Sequence, residues 1–557
     1  MKFLLSTLNS KYIHTSLSLR CLYSMVKDDF HVAMREFTIN DNFLSVISSI
    51  YREKADVICF SCHIWNFDKI INLCENIKKA NKNIYIVLGG PEVTYTAKKT
   101  LTDYPFVDAV VVGEGEITIK ELFSALETGI DMSSVAGLVY RKGNEIIKNK
   151  SREVVANLDE LPFVYDDSID EYKNKIIYYE SSRGCPFSCS YCLSGEKGRV
   201  RYLSLERVKN NLDFFISHNV PLVKFVDRTF NANKKRTKEI FKYIIDNSKN
   251  TKFHMELAGD LIDDETIDIL SKAPQDILQF EIGVQTTNPR TMDEINRNIS
   301  WEKLRENIVK LLSKTSIHIH LDLIAGLPYE DFESFKISFN DVFALRPHVL
   351  QLGFLKLLKG ASITENSEKH GYNYMSNSPY EVINNNYLTY DHILELHDVD
   401  FVFDRFYNSA SFETTIELML KKYDSSFDLF YDLSAFFRDS GLMDKSLSKY
   451  DLYDALYEFS NSINIDCIDS LKFDFLKNIR SHNLPDWCKK DVTKQFTDTC
   501  YEILKDEEFK RVNLPHYFDV PAKAVIKYVH FEEFTDKILL FDHKSDIIID
   551  VTNFFAK

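Results

Sequence analysis

The 557-residue sequence lacks any apolar run of membrane-spanning length. Its first stretch, MKFLLSTLNSKYIHTSL, turns polar early and lacks the small-residue cleavage site of a signal peptide, so a cytoplasmic protein without membrane contact is expected. Positive charge is also scarce. Lys and Arg number 68 against 83 Asp and Glu, and the formal net charge of −15 disfavours a broad nucleic-acid surface. Glycine (17) and proline (13) are sparse, which excludes a fibrous or disordered chain. The ten cysteines are mostly scattered, at Cys21, Cys59, Cys62, Cys74, Cys467, Cys488 and Cys500, which excludes a secreted disulfide framework.

What is present is an α/β chain long enough for about three domains. Residues 1–135 alternate short apolar runs (KFLLS, DVICFS, IYIVLG, VDAVVVG) with amphipathic stretches, the pattern of a doubly wound sheet. Ligands of such sheets sit beyond the carboxyl ends of the strands, here residues 6–16, 61–68, 89–96 and 113–116. Residues 136–170 read as a hairpin turning at Lys142-Gly143-Asn144 followed by an acidic linker. A second series of six strand and helix units over residues 171–360 predicts a barrel or partial barrel, with its chemistry at the carboxyl ends of the strands. Residues 361–557 are aromatic-rich and read as a mostly helical domain.

At the start of the second series, Arg183-Gly-Cys-Pro-Phe-Ser-Cys-Ser-Tyr-Cys192 places Cys185, Cys189 and Cys192 in one loop. Thiolates are soft ligands for zinc or iron-sulfur centres. Structural zinc wants a fourth ligand, and none lies nearby; a cubane with three protein thiolates keeps one iron open for a small molecule. A zinc site completed from a distance, or unligated structural cysteines, are the bland alternatives.

This run, with Tyr191 before the last cysteine, resembles the radical S-adenosylmethionine (SAM) superfamily. The resemblance implies a [4Fe-4S] cluster on the three cysteines and SAM chelated at the open iron. Reductive cleavage would give a 5'-deoxyadenosyl radical, with an electron donor of flavodoxin or ferredoxin type. It also implies SAM contacts from Tyr191, Asp227, Glu256, Glu281, Gln285, Gly326 and Pro328, with the last two letting backbone approach adenine.

The preceding domain is similar to the cobalamin-binding subgroup through Ser61–Asn66, Leu88-Gly-Gly-Pro-Glu92 and Gly113-Glu-Gly-Glu116. Cobalamin contacts are thereby implied at Tyr12, His14, His63, Trp65, Gly89, Gly90, Glu92, Gly113, Glu114 and Gly115. No Asp-x-His-x-x-Gly supplies a lower axial histidine, which leaves His14 and His63 as the available substitutes. Nearly the whole chain resembles cobalamin-binding radical SAM proteins with a C-terminal domain of unknown function, with Lys11-Tyr-Ile-His14, Asp227-Arg-Thr-Phe-Asn231 and Leu352–Gly360 as recognisable pieces.

The pairing implies methyl transfer to an unactivated carbon. Rearrangement or redox chemistry without methylation, an N-terminal domain that binds a partner in place of cobalamin, and a redox-sensing module are the rivals. No motif names a catalytic side chain or the substrate, which could be a small molecule, a peptide or transfer RNA. Lys472, Lys477, Arg480, Lys489, Lys490 and Lys494, interleaved with Phe473, Phe475 and Trp487 and diluted by Asp474, Asp486 and Asp491, form the candidate RNA contact.

Overall fold

The computed structural model describes residues 1–194, 199–479, 484–490 and 492–555, and divides into two compact units, Met1–Ile393 and Leu394–Lys557. The first unit opens with a seven-stranded sheet of order β2-β1-β3-β4-β5-β6-β7. Strands β1 (Phe3–Asn9), β2 (Val32–Thr38), β3 (Val57–Ser61), β4 (Tyr85–Gly89) and β5 (Ala109–Val111) run parallel. β1 and β3 are buried along their whole length, because helices cover both faces of a parallel sheet. Leu4 and Leu8 pack with Val46, Ile70 and Leu73 on one face, while Phe3 and Leu5 pack with Leu19, Leu122 and Phe123 on the other. Chain order reverses between β1 and β3, so the crevice of this sheet opens where those two strands end.

The hairpin expected in the linker belongs to this sheet. β6 (Leu138–Lys142) and β7 (Glu145–Lys148) extend it antiparallel from β5. The physical reason is the three-residue β5, which would otherwise be an open edge; Leu138, Val139 and Tyr140 are buried against it.

The barrel has six parallel strands in chain order: β8 (Ile177–Tyr179), then β11 (Leu222–Phe225), β12 (Lys252–Leu257), β13 (Leu278–Gln285), β14 (His318–Ala325) and β15 (Val349–Phe354). The intervening β9 (Ser182–Arg183) and β10 (Arg201–Tyr202) pair antiparallel and close the cysteine loop. Burial alternates strictly along β13 and β14: Phe280, Ile282, Ile319 and Leu321 pack outward, whereas Gln279, Glu281, His320 and Asp322 take the other face. A closed barrel fills its interior with branched apolar residues; this half-barrel lines it with polar ones.

The C-terminal unit begins later than the expected residue 361. Short strands β16 (Asn373–Tyr374) and β17 (Val382–Asn384) precede the boundary, and Ala361, Ile363, Tyr372 and Val382 share one apolar cluster with Ile295, Leu327 and Leu355 of the barrel. The second unit carries helices at Glu413–Leu420, Ser426–Asp439, Lys449–Ser462, Ile468–Asn478, Lys494–Lys505 and Glu507–Asn513, and an antiparallel sheet of β18 (Val529–Glu533), β19 (Ile538–Asp542) and β20 (Ile547–Asp550). Its basic stretch is partly structural. Lys472 is fully buried and bonds Glu532 at 2.9 Å, Phe475 is buried, and Asp474 accepts the backbone N–H groups of Thr414 and Thr415. Arg480 and Asp491 lie outside the described residues.

Candidate functional site

The cysteine loop hangs from a buried carboxylate. Asp227, just past β11, accepts from the backbone N–H and hydroxyl of Ser181 (2.8 and 2.7 Å) and from the Ser182 hydroxyl. Burial pushes its carboxyl up to about 6 against those hydrogen bonds. Asp227, one of the SAM contacts the resemblance implies, is 1% exposed and positions the strand that carries the cysteines through Ser181 and Ser182. Gly184 then turns at φ +104, where a Cβ would lie 2.5 Å from the Arg199 carbonyl oxygen. Downstream, Ser190 donates to Ile295 O and accepts from Ile363 N–H, each at 2.9 Å.

Two side chains meet the thiols. Thr229 Oγ1 lies 3.4 Å from Cys185 Sγ, and Arg297 Nη1 is 3.8 Å from Cys189 Sγ and 3.2 Å from the Tyr191 hydroxyl. The other nitrogen of the Arg297 fork, Nη2, bonds Gly283 O on β13, tying the cysteine loop to the barrel wall. Among the described residues no three His, Cys, Asp or Glu side chains converge as ligands of a single ion. A cubane instead offers a separate iron to each thiolate, and three thiols in one loop, each beside a hydrogen-bonding group, fit its chemistry.

The interior of the barrel holds polar atoms that no described residue satisfies. Gln285 Oε1, Asp322 Oδ1 and Arg297 Nε are buried without a hydrogen-bond partner, against the strong rule that buried polar groups pair. Gln285 has φ +75, and its amide folds over Gly283, where a Cβ would sit 2.2 Å from Nε2. Two acceptors and one cationic donor left open at the cysteine end of the barrel suit the hydroxyls and carboxylate of SAM. Glu281 differs: His254 Nε2 (2.9 Å) and Lys224 Nζ (3.0 Å) both bond it, and the histidine bond chiefly holds its carboxyl down to about 2. Glu256 pairs in register with Glu281 and is raised by burial and by that neighbour. Gly326 and Pro328, expected to bring backbone to adenine, are buried with their carbonyls bonded to Tyr372, Asn385 and Thr291. What β14 offers the interior is Asp322.

Burial first, then Glu281 and Glu256, push the Asp322 carboxyl up to about 7. An acid raised in the fold is protonated there while ionised in the unfolded chain between about pH 4 and 7, so it removes stability as pH rises through that window. Asp322→Asn is expected to stabilise the cofactor-free protein by about 1–3 kcal/mol at pH 8 and by nothing at pH 4. Urea midpoints at the two pH values check this; equal effects would contradict it.

The carboxyl edge of the N-terminal sheet faces the barrel across charged contacts. Arg183, beside Cys185, reaches Glu114 (3.3 Å), Glu116 (2.7 Å) and Glu180 (2.8 Å), and Arg201 bonds Glu114 as well. Ile176 N–H donates to Ile13 O at 2.7 Å, and Lys359 and Tyr380 both bond the buried Glu92. Glu92 and Glu114, expected as cobalamin contacts, are therefore held in ion pairs that join the two sheets. Gly90 is required by the chain itself, since a Cβ would lie 2.4 Å from Cys62 O, and Gly115 is closed by Leu22. Gly89 ends β4 at ordinary contact distance from Val111.

Other expected residues stay open at the crevice. Gly113 (φ +81) has nothing within 4 Å of a Cβ, and Tyr12 and Trp65 are 68% and 45% exposed. These exposed faces beyond β1 and β3 fit a large flat ring. His14 Nδ1 is 2.6 Å from the Tyr178 hydroxyl. His63 stacks on Trp65 with ring centroids 4.4 Å apart; burial, then Arg228, depress it to about 4, so it is neutral and keeps a lone pair at pH 7. The sequence alone assigns no role to Asp322, Arg297, Arg183 or Thr229; Arg183 and Thr229 adjoin motif residues and Asp322 opens the stretch that runs to Gly326 and Pro328, whereas Arg297 carries no local signal.

Sequence models of known families match in the same order: the B12 binding domain over residues 5–123, the radical SAM superfamily over 179–342, and a domain of unknown function, DUF4080, over 368–549. An uncharacterised methyltransferase of Pyrococcus horikoshii is 28% identical over 326 residues, covering 57% of this chain and 70% of that protein. The cobalamin-dependent radical SAM methyltransferase TokK of Streptomyces tokunonensis is 26% identical over 54% of this chain; the chain spans 47% of its length. Among solved structures, the radical SAM methyltransferase TsrM of Kitasatospora setae, with tryptophan and a SAM analogue bound, superposes with TM-score 0.58 at 16% identity, covering 68% of this chain and 79% of its own. The cobalamin-dependent radical enzyme OxsB, with aqua-cobalamin and SAM bound, gives 0.58 at 14% identity over 85% of this chain and 78% of its own. The protein is a radical SAM enzyme with an N-terminal cobalamin-binding domain, and its cofactors are a [4Fe-4S] cluster, SAM and cobalamin. It belongs to the family that joins these two domains to a C-terminal domain of unknown function.

Proposed function

We propose that the protein transfers a methyl group from SAM, by way of cobalamin, to an unactivated carbon of its substrate. The observation that carries the reading is the placement of the switch-point crevice of the first sheet against the cysteine end of the barrel within one compact unit, joined by Arg183 to Glu114 and Glu116. A methyl carrier and a radical source would then share one cleft. TokK and a 2-(S-pantetheinyl)-carbapenam-3-carboxylate methyltransferase, similar over about half of this chain, support the reaction class.

Cys185, Cys189 and Cys192 would hold the cluster; Gln285, Asp322 and Arg297 would meet SAM; and Tyr12, His63, Trp65 and Gly113 would edge the corrin. When bound, these groups supply a 5'-deoxyadenosyl radical that removes a substrate hydrogen atom and a cobalt-borne methyl group that replaces it. The chain's own part is positioning. Arg297 and the Ser194 N–H place donors beside Cys189 and Cys192, which steadies the negative charge of the thiolates. Burial and the neighbouring Glu281 and Glu256 raise the buried Asp322 carboxyl to about 7, so in its protonated form it can donate a hydrogen bond as well as accept one. The reductive step calls for an external donor of flavodoxin or ferredoxin type.

The test is anaerobic incubation of the reconstituted protein with methyl-deuterated SAM, with and without cobalamin. Label is expected in the product only when cobalamin is loaded. Equal 5'-deoxyadenosine with no transferred label would turn the reading to rearrangement or redox chemistry.

A further inference from the structure

Most cations at the junction of the two sheets are already engaged. Arg183, Arg201 and Lys359 are ion-paired across it, Lys224 is paired to Glu281, and Arg297 is bonded to Cys189, Tyr191 and Gly283. Arg228 is different. Its neighbours in sequence are fixed, Asp227 on Ser181 and Ser182, and Thr229 beside Cys185, so its backbone is held within one residue of a cluster ligand's partner. Its side chain is nevertheless exposed and makes no hydrogen bond or ion pair among the described residues. Arg228 follows the carboxyl end of β11, at the end of the barrel that carries the cysteine loop.

A guanidinium presents five donors in a planar fork that matches a carboxylate or phosphate and cannot lose its charge near neutral pH. Held beside the cysteine loop at the barrel mouth, with that fork open, it lacks only an anion. We propose that Arg228 anchors an anionic group of the substrate, a carboxylate or a phosphate, and so selects acidic substrates for this cleft. The inference rests on the reading of the cleft as the site of methyl transfer. Two anions of the cofactors, the SAM carboxylate and the cobalamin phosphate, are the competing occupants, and the test separates them.

The experiment uses full-length protein reconstituted with cluster and cobalamin, as wild type, Arg228→Gln and Arg228→Lys. Small-molecule extract of the source cells is fractionated on an anion exchanger at pH 7, and each fraction is assayed for stimulation of 5'-deoxyadenosine formation from methyl-deuterated SAM. The wild type is expected to respond to a retained, anionic fraction. Arg228→Gln should need roughly 10–100 times more of it, and Arg228→Lys an intermediate amount. Stimulation that survives phosphatase treatment of the fraction identifies a carboxylate; stimulation lost to it identifies a phosphate. The inference is overturned by a response to the unretained fraction alone or to none, by an Arg228→Gln response equal to wild type, or by an Arg228→Gln protein that has lost cobalamin absorbance or affinity for SAM. Stimulated 5'-deoxyadenosine without label in any product would leave Arg228 as the anion anchor and remove the methyl-transfer reading.

Discussion

Replacing Cys185, Cys189 and Cys192 together by alanine is expected to give a folded protein with no bound iron or sulfide and no 5'-deoxyadenosine formation. The fold should survive because the loop is secured by other contacts: Asp227 to Ser181 and Ser182, Ser190 to Ile295 and Ile363, and the β9 and β10 pair. Cys185 and Cys192 are half-buried and Cys189 is 8% exposed. Truncating one buried thiol to alanine costs about 1 kcal/mol, which a chain of this size tolerates. Iron and sulfide analysis with a thermal melt checks both halves. A triple variant that kept its cluster would remove the metal assignment.

Arg183→Met is expected to destabilise the first unit by about 3 kcal/mol, the low end for stripping the countercharge from a buried ionic group. The side chain is 18% exposed and stands among Glu114, Glu116 and Glu180, with only Arg201 left to offset Glu114. The unpaired carboxylates then repel, and each gains by taking up a proton. The gap between variant and wild type should therefore close as pH falls toward 5. Arg183→Lys keeps the charge without the fork and should lie between. Urea unfolding at pH 8 and pH 5 measures this, and a variant gap that widened at low pH would contradict the assignment. Because Arg183 bridges the cysteine strand to the N-terminal sheet, Arg183→Met should also release cobalamin more readily than iron.

Much of this arrangement was legible in the sequence because it is carried by local patterns. Continuous apolar runs marked β1, β3 and β4 as strands covered on both faces, and the spacing of three cysteines marked the cluster loop. The doubly wound order placed Tyr12, His63 and Trp65 beyond strand ends before any contact was visible. What the sequence concealed depends on pairing across distance. Whether Asp227 faces a ligand or Ser181 is decided by the register of β8 against β11, and whether Glu114 meets a corrin or Arg201 by how two sheets meet. The hairpin at residues 138–148 is legible as a hairpin, but nothing local shows that β5 needs an edge partner and that the hairpin therefore joins the first sheet. Arg297 stood outside every motif, and only the fold brings it to Cys189, 108 residues earlier in the chain. Asp322 opens the stretch that runs to Gly326 and Pro328, but its role follows from which strand face it takes and from the lack of a hydrogen-bond partner for Oδ1 among the described residues.

The most direct test of the central claim is a product count under reducing, anaerobic conditions in protein reconstituted with both the cluster and cobalamin and supplied with substrate. S-adenosylhomocysteine and 5'-deoxyadenosine should accumulate together, in equal amounts and in step with methylated product, because one SAM provides the methyl group and another the radical. Accumulation of 5'-deoxyadenosine alone, with cobalamin bound and no S-adenosylhomocysteine, would contradict methyl transfer by this enzyme.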